Sequence, residues 1–138
     1  MKEEPICVKD ENGNEFWILE SKSNLNIGNL FYFYHRDDGP AIKRKSGSES
    51  WYKNGKYHRD NGPAITYFRS SGEIGYREWY QNGKPHRLDG PAFDSGWLKI
   101  YSINGVKLPG NEVENWLEEY NIDFTSIEDQ ILFLLRWG

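Results

Sequence analysis

Two stretches of the sequence are nearly the same: WYKNGKYHRDNGPA at residues 51–64 and WYQNGKPHRLDGPA at residues 79–92. A first copy, HRDDGPA at residues 35–41, keeps only the second half of this unit. A last copy, YSINGVKLPG at residues 101–110, matches the first half more loosely. Because the Trp-to-His and His-to-Ala spacings are constant between copies, the sequence predicts a stack of equivalent structural units.

The turn residues of the unit predict two β-hairpins in each copy. Asn-Gly favours the positive φ angles of a tight hairpin turn, and Gly-Pro marks the start of the next strand. The segment that joins one copy to the next carries a glycine-containing turn between aromatic and β-branched residues, which predicts a further hairpin with a tip of free length. The Asn-Gly pairs are at residues 54–55, 82–83 and 104–105.

Both ends of the chain predict caps for this stack. Asn12 and Gly13 lie between extended stretches and predict an opening hairpin. After residue 110 the apolar spacing becomes helical, with Asn111 and Glu114 resembling a capping box. We predict that this first helix ends at Asn121.

A second helix start is predicted at Thr125, with Glu128 three residues later. The segment that follows, IEDQILFLLRW, is apolar on more than one face, which is typical of a helix clasped by the protein or by a partner. We expect Trp116, Leu117 and Ile131 to cover the last edge of the repeats.

The predicted fold is therefore mainly β, with repeated antiparallel hairpins in an elongated sheet or solenoid. Residues 1–28 form the N-terminal capping hairpin, residues 29–110 the repeat body and residues 111–138 the cap of two short helices, all within one folded unit.

Charge distribution and hydropathy along the chain argue against a secreted or membrane protein. Residues 29–110 carry 13 basic and 8 acidic side chains, whereas residues 111–138 carry 1 basic and 7 acidic ones. The acidic start of the chain and its short apolar runs predict neither a signal peptide nor a membrane span, so we expect a soluble protein of the cytoplasm. A single cysteine, Cys7, agrees with a reducing compartment.

The pattern W-Y-x-N-G-x-x-H-R-x-D/N-G-P-A resembles the divergent MORN-type repeat of many small proteins from bacteriophages and large DNA viruses, which is related to repeats of some bacterial antitoxin-like proteins. The resemblance covers about residues 30–110. It implies a β-hairpin repeat scaffold and, in phage, a small accessory protein that acts on the host. The family has no common activity to carry over to this chain.

The recurring histidines His35, His58 and His86 resemble a ligand set, but their spacing argues against one. Equivalent positions one hairpin apart differ by roughly 10 Å, whereas zinc ligands lie about 2 Å from the ion. We therefore expect each histidine to hydrogen-bond a corner of the scaffold. With no metal, no cofactor and no nucleophile placed near a base, we expect a protein that is not an enzyme.

The arginines that follow the histidines should form a row along the stack. Arginines of this row that are not paired with acidic side chains could bind successive phosphates of a nucleic-acid backbone. Basic residues of the first joining segment could contribute to the same contact. The isoelectric point near 5.4 argues against a typical nucleic-acid module. The candidate phosphate-binding residues are Arg36, Arg59, Arg87, Lys43, Arg44 and Lys45.

Protein binding is the function that we favour from the sequence, and the resemblance implies a host protein as the partner, for instance one of host defence. Arg69, Tyr76 and Arg77 lie in the joining segment that is five residues longer than its counterparts, and Tyr and Arg are common interface anchors. Phe133 and Trp137 in the tail are further candidates. Three alternatives stay open: a nucleic acid or nucleotide ligand, a structural or antitoxin-like role, and a dimer through the C-terminal helix.

Overall fold

The computed structural model describes residues 3–21 and 31–138 of the chain. Within these residues the protein is mainly β, with fifteen short strands followed by two C-terminal helices. The strands form one nine-stranded antiparallel sheet and three two-stranded sheets. This architecture of hairpins with a helical end confirms the predicted fold class. None of the described helices is long and apolar enough to cross a membrane.

The opening strands form one end of the large sheet. They are β1 (Ile6–Lys9), β2 (Glu15–Ser21) and β3 (Phe31–Tyr34). β1 and β2 pair antiparallel, which confirms the opening hairpin. Its turn closes where the Asp10 N–H donates to the Asn14 carbonyl at 3.1 Å, with Gly13 at a φ of 82°. Residues 1–2 and 22–28 of the predicted N-terminal cap lie outside the described residues.

Three long hairpins, one for each joining segment, continue the large sheet. They are β4–β5 (Ile42–Lys43 and Glu49–Ser50), β8–β9 (Ile65–Phe68 and Ile74–Glu78) and β12–β13 (Phe93–Asp94 and Lys99–Ile100). The order across the sheet is β1-β2-β4-β5-β8-β9-β12-β13, and β3 pairs with β2. Strands that are neighbours along this path are therefore also close in sequence, as expected of a repeat protein.

Three short hairpins carry the Asn-Gly turns. They are β6–β7 (Tyr52–Lys53 and Lys56–Tyr57), β10–β11 (Tyr80–Gln81 and Lys84–Pro85) and β14–β15 (Ser102–Ile103 and Val106–Lys107). In each turn both residues have positive φ, for example 50° at Asn54 and 78° at Gly55, which is the geometry of a type I′ turn. The predicted hairpin, linker, hairpin order of the unit is thus confirmed.

The same backbone hydrogen bonds recur within each unit and connect its tryptophan to its histidine and its alanine. In the second unit the Trp51 N–H donates to the Ala64 carbonyl at 2.7 Å, and the His58 N–H donates to the Trp51 carbonyl at 3.1 Å. Contacts between units also recur, as where the Gly55 N–H donates to the Tyr34 carbonyl of the unit before it at 2.9 Å. The alanine of each unit is buried: Ala41, Ala64 and Ala92. Its small side chain lets neighbouring backbones approach closely.

The first unit is more complete than its sequence indicated. The Trp17 N–H donates to the Ala41 carbonyl at 2.7 Å, and the His35 N–H donates to the Trp17 carbonyl at 3.1 Å. These are the bonds that Trp51 makes in the second unit. The expectation that the first copy keeps only its second half is therefore wrong: its tryptophan is Trp17, which lies 18 residues before His35 instead of seven, so the sequence spacing does not reveal it.

The helical cap consists of α1 (Gly110–Glu119) and α2 (Ile127–Trp137). It covers the last short hairpin with a buried cluster of Tyr101, Ile103, Leu108, Val113 and Phe133. Trp116 and Leu117 pack against this cluster, as predicted for the cover of the last edge. Ile131 does not, since half of its surface is exposed, and that part of the prediction is wrong.

The helices begin at other residues than the sequence predicted. α1 has Pro109 at its N-cap with no side-chain cap, and the Glu114 carboxylate accepts a hydrogen bond from the Tyr101 hydroxyl at 2.9 Å instead. α2 is capped by Ser126, whose Oγ accepts from the Asp129 N–H at 3.2 Å. The end of α1 agrees with the prediction, because Asn121 follows it with a φ of 52°.

Candidate binding surfaces

The three histidines connect each unit to the next. The Nδ1 atom of His35 accepts a hydrogen bond from the Asn54 N–H at 2.9 Å. His58 accepts in the same way from Asn82 at 3.1 Å, and His86 from Asn104 at 3.0 Å. Since each asparagine begins the Asn-Gly turn of the following unit, the predicted corner role of the histidines is confirmed. Within residues 3–21 and 31–138 no group of three His, Cys, Asp or Glu side chains could hold a metal ion.

The Nε2 side of the histidines differs between units. His58 Nε2 lies 2.9 Å from an Asp60 carboxylate oxygen, and His35 Nε2 lies 3.5 Å from Asp37. In the third unit Leu88 takes the place of this aspartate. Burial lowers the pKa of the His86 imidazole. His86 is therefore held in its neutral form more strongly than a free histidine, as its accepting Nδ1 requires.

The arginine row is built from repeated stacks on tryptophan. The guanidinium carbons of Arg36 and Arg59 each lie 3.9 Å from the ring centre of a tryptophan, and that of Arg87 lies 3.7 Å from one. The tryptophans are Trp17, Trp51 and Trp79. Each arginine also donates from Nη1 to the carbonyl of the proline that ends its own corner, at 3.1 to 3.3 Å. These contacts fix the guanidinium groups within the scaffold.

The glycines of the corners make room for these stacks. Gly62 and Gly90 have φ angles of 136° and 152°, where other residues are strained. A Cβ atom added at Gly62 would lie 3.1 Å from the Arg59 guanidinium carbon. The corner therefore needs glycine both for its backbone and for the position of its arginine.

Two of the three arginines are also paired with acids. Arg36 Nε donates to Asp38 at 2.8 Å, and Arg87 Nε donates to Asp89 at 2.7 Å. The hydrogen bond from Arg36 lowers the pKa of the Asp38 carboxyl. Asn61 stands where the second unit would have this aspartate, and in the described part of the chain no carboxylate lies within ion-pair distance of Arg59. Arg59 is thus the member of the row with its charge least compensated.

The basic residues of the first joining segment are the remaining candidates for phosphate binding. Lys43 is in register with Glu15 on one side and Glu49 on the other. The pKa of Glu15 is lowered mainly by its hydrogen bond from Lys9, and Lys43 adds to the effect. Arg44 and Lys45 are exposed in the tip turn of β4–β5. Glu15 and Glu49 therefore stand on both sides of Lys43 and offset its charge.

The cleft between the second and third corners has mixed charge. Its volume is about 750 Å³, and Arg59 and Arg87 line it together with Asp60 and Asp89. A surface with equal numbers of both signs does not concentrate phosphate.

The hairpin of residues 65–78, which we call the projecting hairpin, is longer than its neighbours because its strands are longer. Its tip turn runs from Arg69 to Glu73 and is closed by the same two hydrogen bonds as the tip turn from Arg44 to Ser48. The five extra residues therefore extend β8 and β9 rather than the loop, which corrects the expectation of a variable tip. A bulge between Tyr67 and Phe68 accompanies the extension.

The projecting hairpin exposes aromatic and cationic side chains. Tyr67 and Tyr76 are cross-strand partners with ring centres 5.1 Å apart, and Tyr76 stacks in turn on Phe93 at 5.7 Å. Tyr67 is 43% exposed, whereas Tyr76 is half-buried beneath its neighbours and has a pKa raised by that burial. Arg69 and Arg77 are both exposed. Arg77 follows Tyr76 directly in β9 and therefore lies on the opposite face of the sheet, in register with Thr66 and Asp94, so the predicted grouping of Arg77 with Tyr76 is wrong. Sequence reasoning identified Tyr76 and both arginines but missed Tyr67, which only the register pairs with Tyr76.

The structure revises the candidates in the tail. Phe133 is fully buried in the cap cluster, so it presents no surface to a partner, and the expectation for it is wrong. Trp137 also packs against this cluster and is partly buried. The exposed apolar residues of α2 are instead Ile127, Ile131, Leu132, Leu134 and Leu135. Phe133 and Trp137 are four residues apart and share one helix face, but the exposed Ile131 and Leu135 have the same spacing, so the period alone does not indicate which face is buried.

Comparisons with known proteins add no assignment. No family model, no curated protein and no solved structure matches the chain. The function is therefore argued from the surfaces just described.

Proposed function

We propose that the protein is a non-enzymatic binding protein that contacts another protein through the projecting hairpin. The observation that supports this most is the stacked pair Tyr67 and Tyr76, held on the longest hairpin of the sheet, with Arg69 exposed at its tip. Stacking and strand pairing hold these rings in place before binding, so little side-chain entropy is lost on contact. Tyrosine and arginine together are the residues most often found as interface anchors.

The chemistry of the hairpin suggests the kind of partner. A tyrosine pair with an arginine at the hairpin tip suits an apolar patch that is bordered by carboxylates. The MORN-type resemblance of the repeats suggests that this partner is a host protein, for instance one of host defence, that a small phage accessory protein inhibits in the cytoplasm of the host cell.

A hairpin-shortened variant tests the proposal. Replacing residues 67–76 by the five residues RKSGS of positions 44–48 gives the second hairpin the length and turn of the first. We expect this variant to fold, because the strand pairs that the hairpins share remain. It should unfold at a lower temperature than the wild type, since the stack of Tyr76 on Phe93 and the hydrogen bond from the Phe68 N–H to Ser48 are lost. The variant should no longer bind the partner, since removing each anchor residue of this kind costs on the order of 2 kcal/mol or more of binding free energy.

The measurement has two stages. Wild-type protein first captures partners from host lysate treated with nuclease, and calorimetric titration of the purified partner then compares affinities. Trp97→Ala, at the exposed tip of the neighbouring β12–β13 hairpin, is the matched control and should bind normally. A folded hairpin-shortened variant that binds with unchanged affinity would exclude the projecting hairpin.

A phosphate-bearing ligand is the second candidate, favoured by Arg59, whose charge is the least compensated of the arginine row. Binding of this kind would weaken steeply with added salt and would be lost in Arg59→Gln. Protein binding through the projecting hairpin would depend much less on salt and would survive that substitution. A salt titration of any captured complex therefore distinguishes the two.

A further inference from the structure

One side of α2 is apolar and exposed although the helix belongs to the cap. Its exposed residues are Ile127, Ile131, Leu132, Leu134 and Leu135, with exposed fractions from 42% to 79%. Because a helix turns by about 100° per residue, Ile127, Ile131 and Leu135 follow one line along this side. Phe133 and Trp137 lie on the opposite side, in the core. A contiguous apolar patch on a small protein marks an interaction surface.

Two charged residues beside this line of apolar side chains indicate which kind of partner binds there. Glu128, Leu132 and Arg136 succeed one another at intervals of four residues and form a second line next to the apolar one. Glu128 and Arg136 are both exposed, and they lie about 12 Å apart along the helix, too far to pair with each other. Among the described residues neither takes part in a salt bridge.

We propose that two copies of the chain associate through α2, with the helices antiparallel and the two-fold axis close to Leu132. In this arrangement Glu128 of each copy lies opposite Arg136 of the other, so two ion pairs form at the edge of the contact. The apolar lines of the two helices meet beside them, since an isologous interface places the same patch on both sides. A parallel arrangement would instead oppose Glu128 to Glu128 and is disfavoured by like charge.

Sedimentation velocity over a range of concentrations tests the association. We expect the wild-type protein to approach twice its monomer mass of 16.2 kDa as concentration rises. The double substitution Ile131→Asp and Leu135→Asp should remain monomeric at every concentration while keeping its circular dichroism spectrum, because both residues are exposed in the monomer. Trp97→Asp changes an exposed apolar residue elsewhere and should dimerise like the wild type.

Charge reversal tests the antiparallel register. In an antiparallel dimer of the Glu128→Arg variant, two arginines face each other at both contacts, and in a dimer of the Arg136→Glu variant two glutamates do. Each variant alone should therefore associate at least tenfold more weakly than the wild type. A mixture of the two variants opposes arginine to glutamate at both positions and should restore the dimer. In a parallel pair the wild type already opposes like charges at both positions, so neither variant alone would associate more weakly than the wild type. Single variants that dimerise as well as the wild type would therefore overturn the register.

The remaining outcomes are also decisive. A wild-type protein that is monomeric at all concentrations would overturn the proposal and leave a different protein as the occupant of this face. A dimer that persists in the Ile131→Asp, Leu135→Asp variant would place the contact elsewhere. The inference does not depend on the proposed function, because the hairpin-shortened variant should dimerise as the wild type does.

Discussion

At the scale of single residues, the repeated histidine and asparagine are explained by one hydrogen bond. Each histidine accepts from the turn of the following unit, so it is needed wherever another unit follows. The fourth unit has Leu108 at this position, and its N–H still donates to the Tyr101 carbonyl at 2.8 Å. Since α1 rather than a fifth turn comes next, an apolar residue that joins the cap cluster replaces the acceptor.

The burial of His86 makes stability depend on pH. Burial lowers the pKa of the folded-state imidazole below the ordinary value of 6.5, so between those two values the unfolded chain binds more protons than the folded one. The contribution of His86 is therefore fully present above pH 6.5 and is lost as the pH falls through this window. Urea unfolding measured from pH 8 to pH 5 should show a smaller decrease in His86→Leu than in the wild type. Equal decreases in the two proteins would contradict the role of His86.

At the scale of elements, the start of α2 shows how a cap is selected. Thr125 and Ser126 are both suitable N-cap residues, but Thr125 Oγ1 donates to Asp123 at 2.6 Å. This local bond leaves Ser126 to accept from the Asp129 N–H. A choice between neighbouring hydroxyl residues depends on the direction of the preceding loop, which the sequence pattern does not specify.

Ser126→Ala should lower the free energy of unfolding by about 1 kcal/mol, because one N–H group at the start of α2 loses its acceptor. Thr125→Ala, the matched control, leaves that bond in place and should cost less. Urea unfolding of both variants at one pH gives the comparison. A larger loss in Thr125→Ala would indicate that the helix begins where the sequence suggested.

At the scale of the whole molecule, the stack depends on its helical end. The buried residue that recurs in the units is alanine, so each unit adds little apolar volume to a core. The larger buried side chains are concentrated between the last short hairpin and the two helices. A repeat stack that ends on such an edge needs a cap, and Phe133 is the fully buried aromatic residue of that cap.

Phe133→Ala should therefore reduce the free energy of unfolding by about 3–5 kcal/mol, through lost burial and the cavity that remains. Trp97→Ala removes an aromatic ring that is 82% exposed and should change stability little. Chemical denaturation at a concentration where the protein is monomeric measures both. Comparable losses in the two variants would argue against a cap held by Phe133.

The sequence by itself determined the repeated architecture. Constant spacing between Trp, Asn-Gly, His-Arg and Gly-Pro predicted the hairpins, their turns and the corner role of His35, His58 and His86, because these depend on local backbone geometry and on contacts one repeat away. It also predicted two helices at the end of the chain from their apolar period. Such features recur at fixed offsets and so can be read from a linear pattern.

Tertiary structure decided the features that depend on contacts between distant segments. Trp17 joins the first unit across the insertion that separates it from His35, and Tyr67 meets Tyr76 through a strand register that includes a bulge. The side of α2 that is buried was decided in the same way: Phe133 packs on Tyr101, whereas Leu135 stays exposed. A helix that is apolar nearly all round offers several faces to the core, and the docking of α1 on the last hairpin selects one of them.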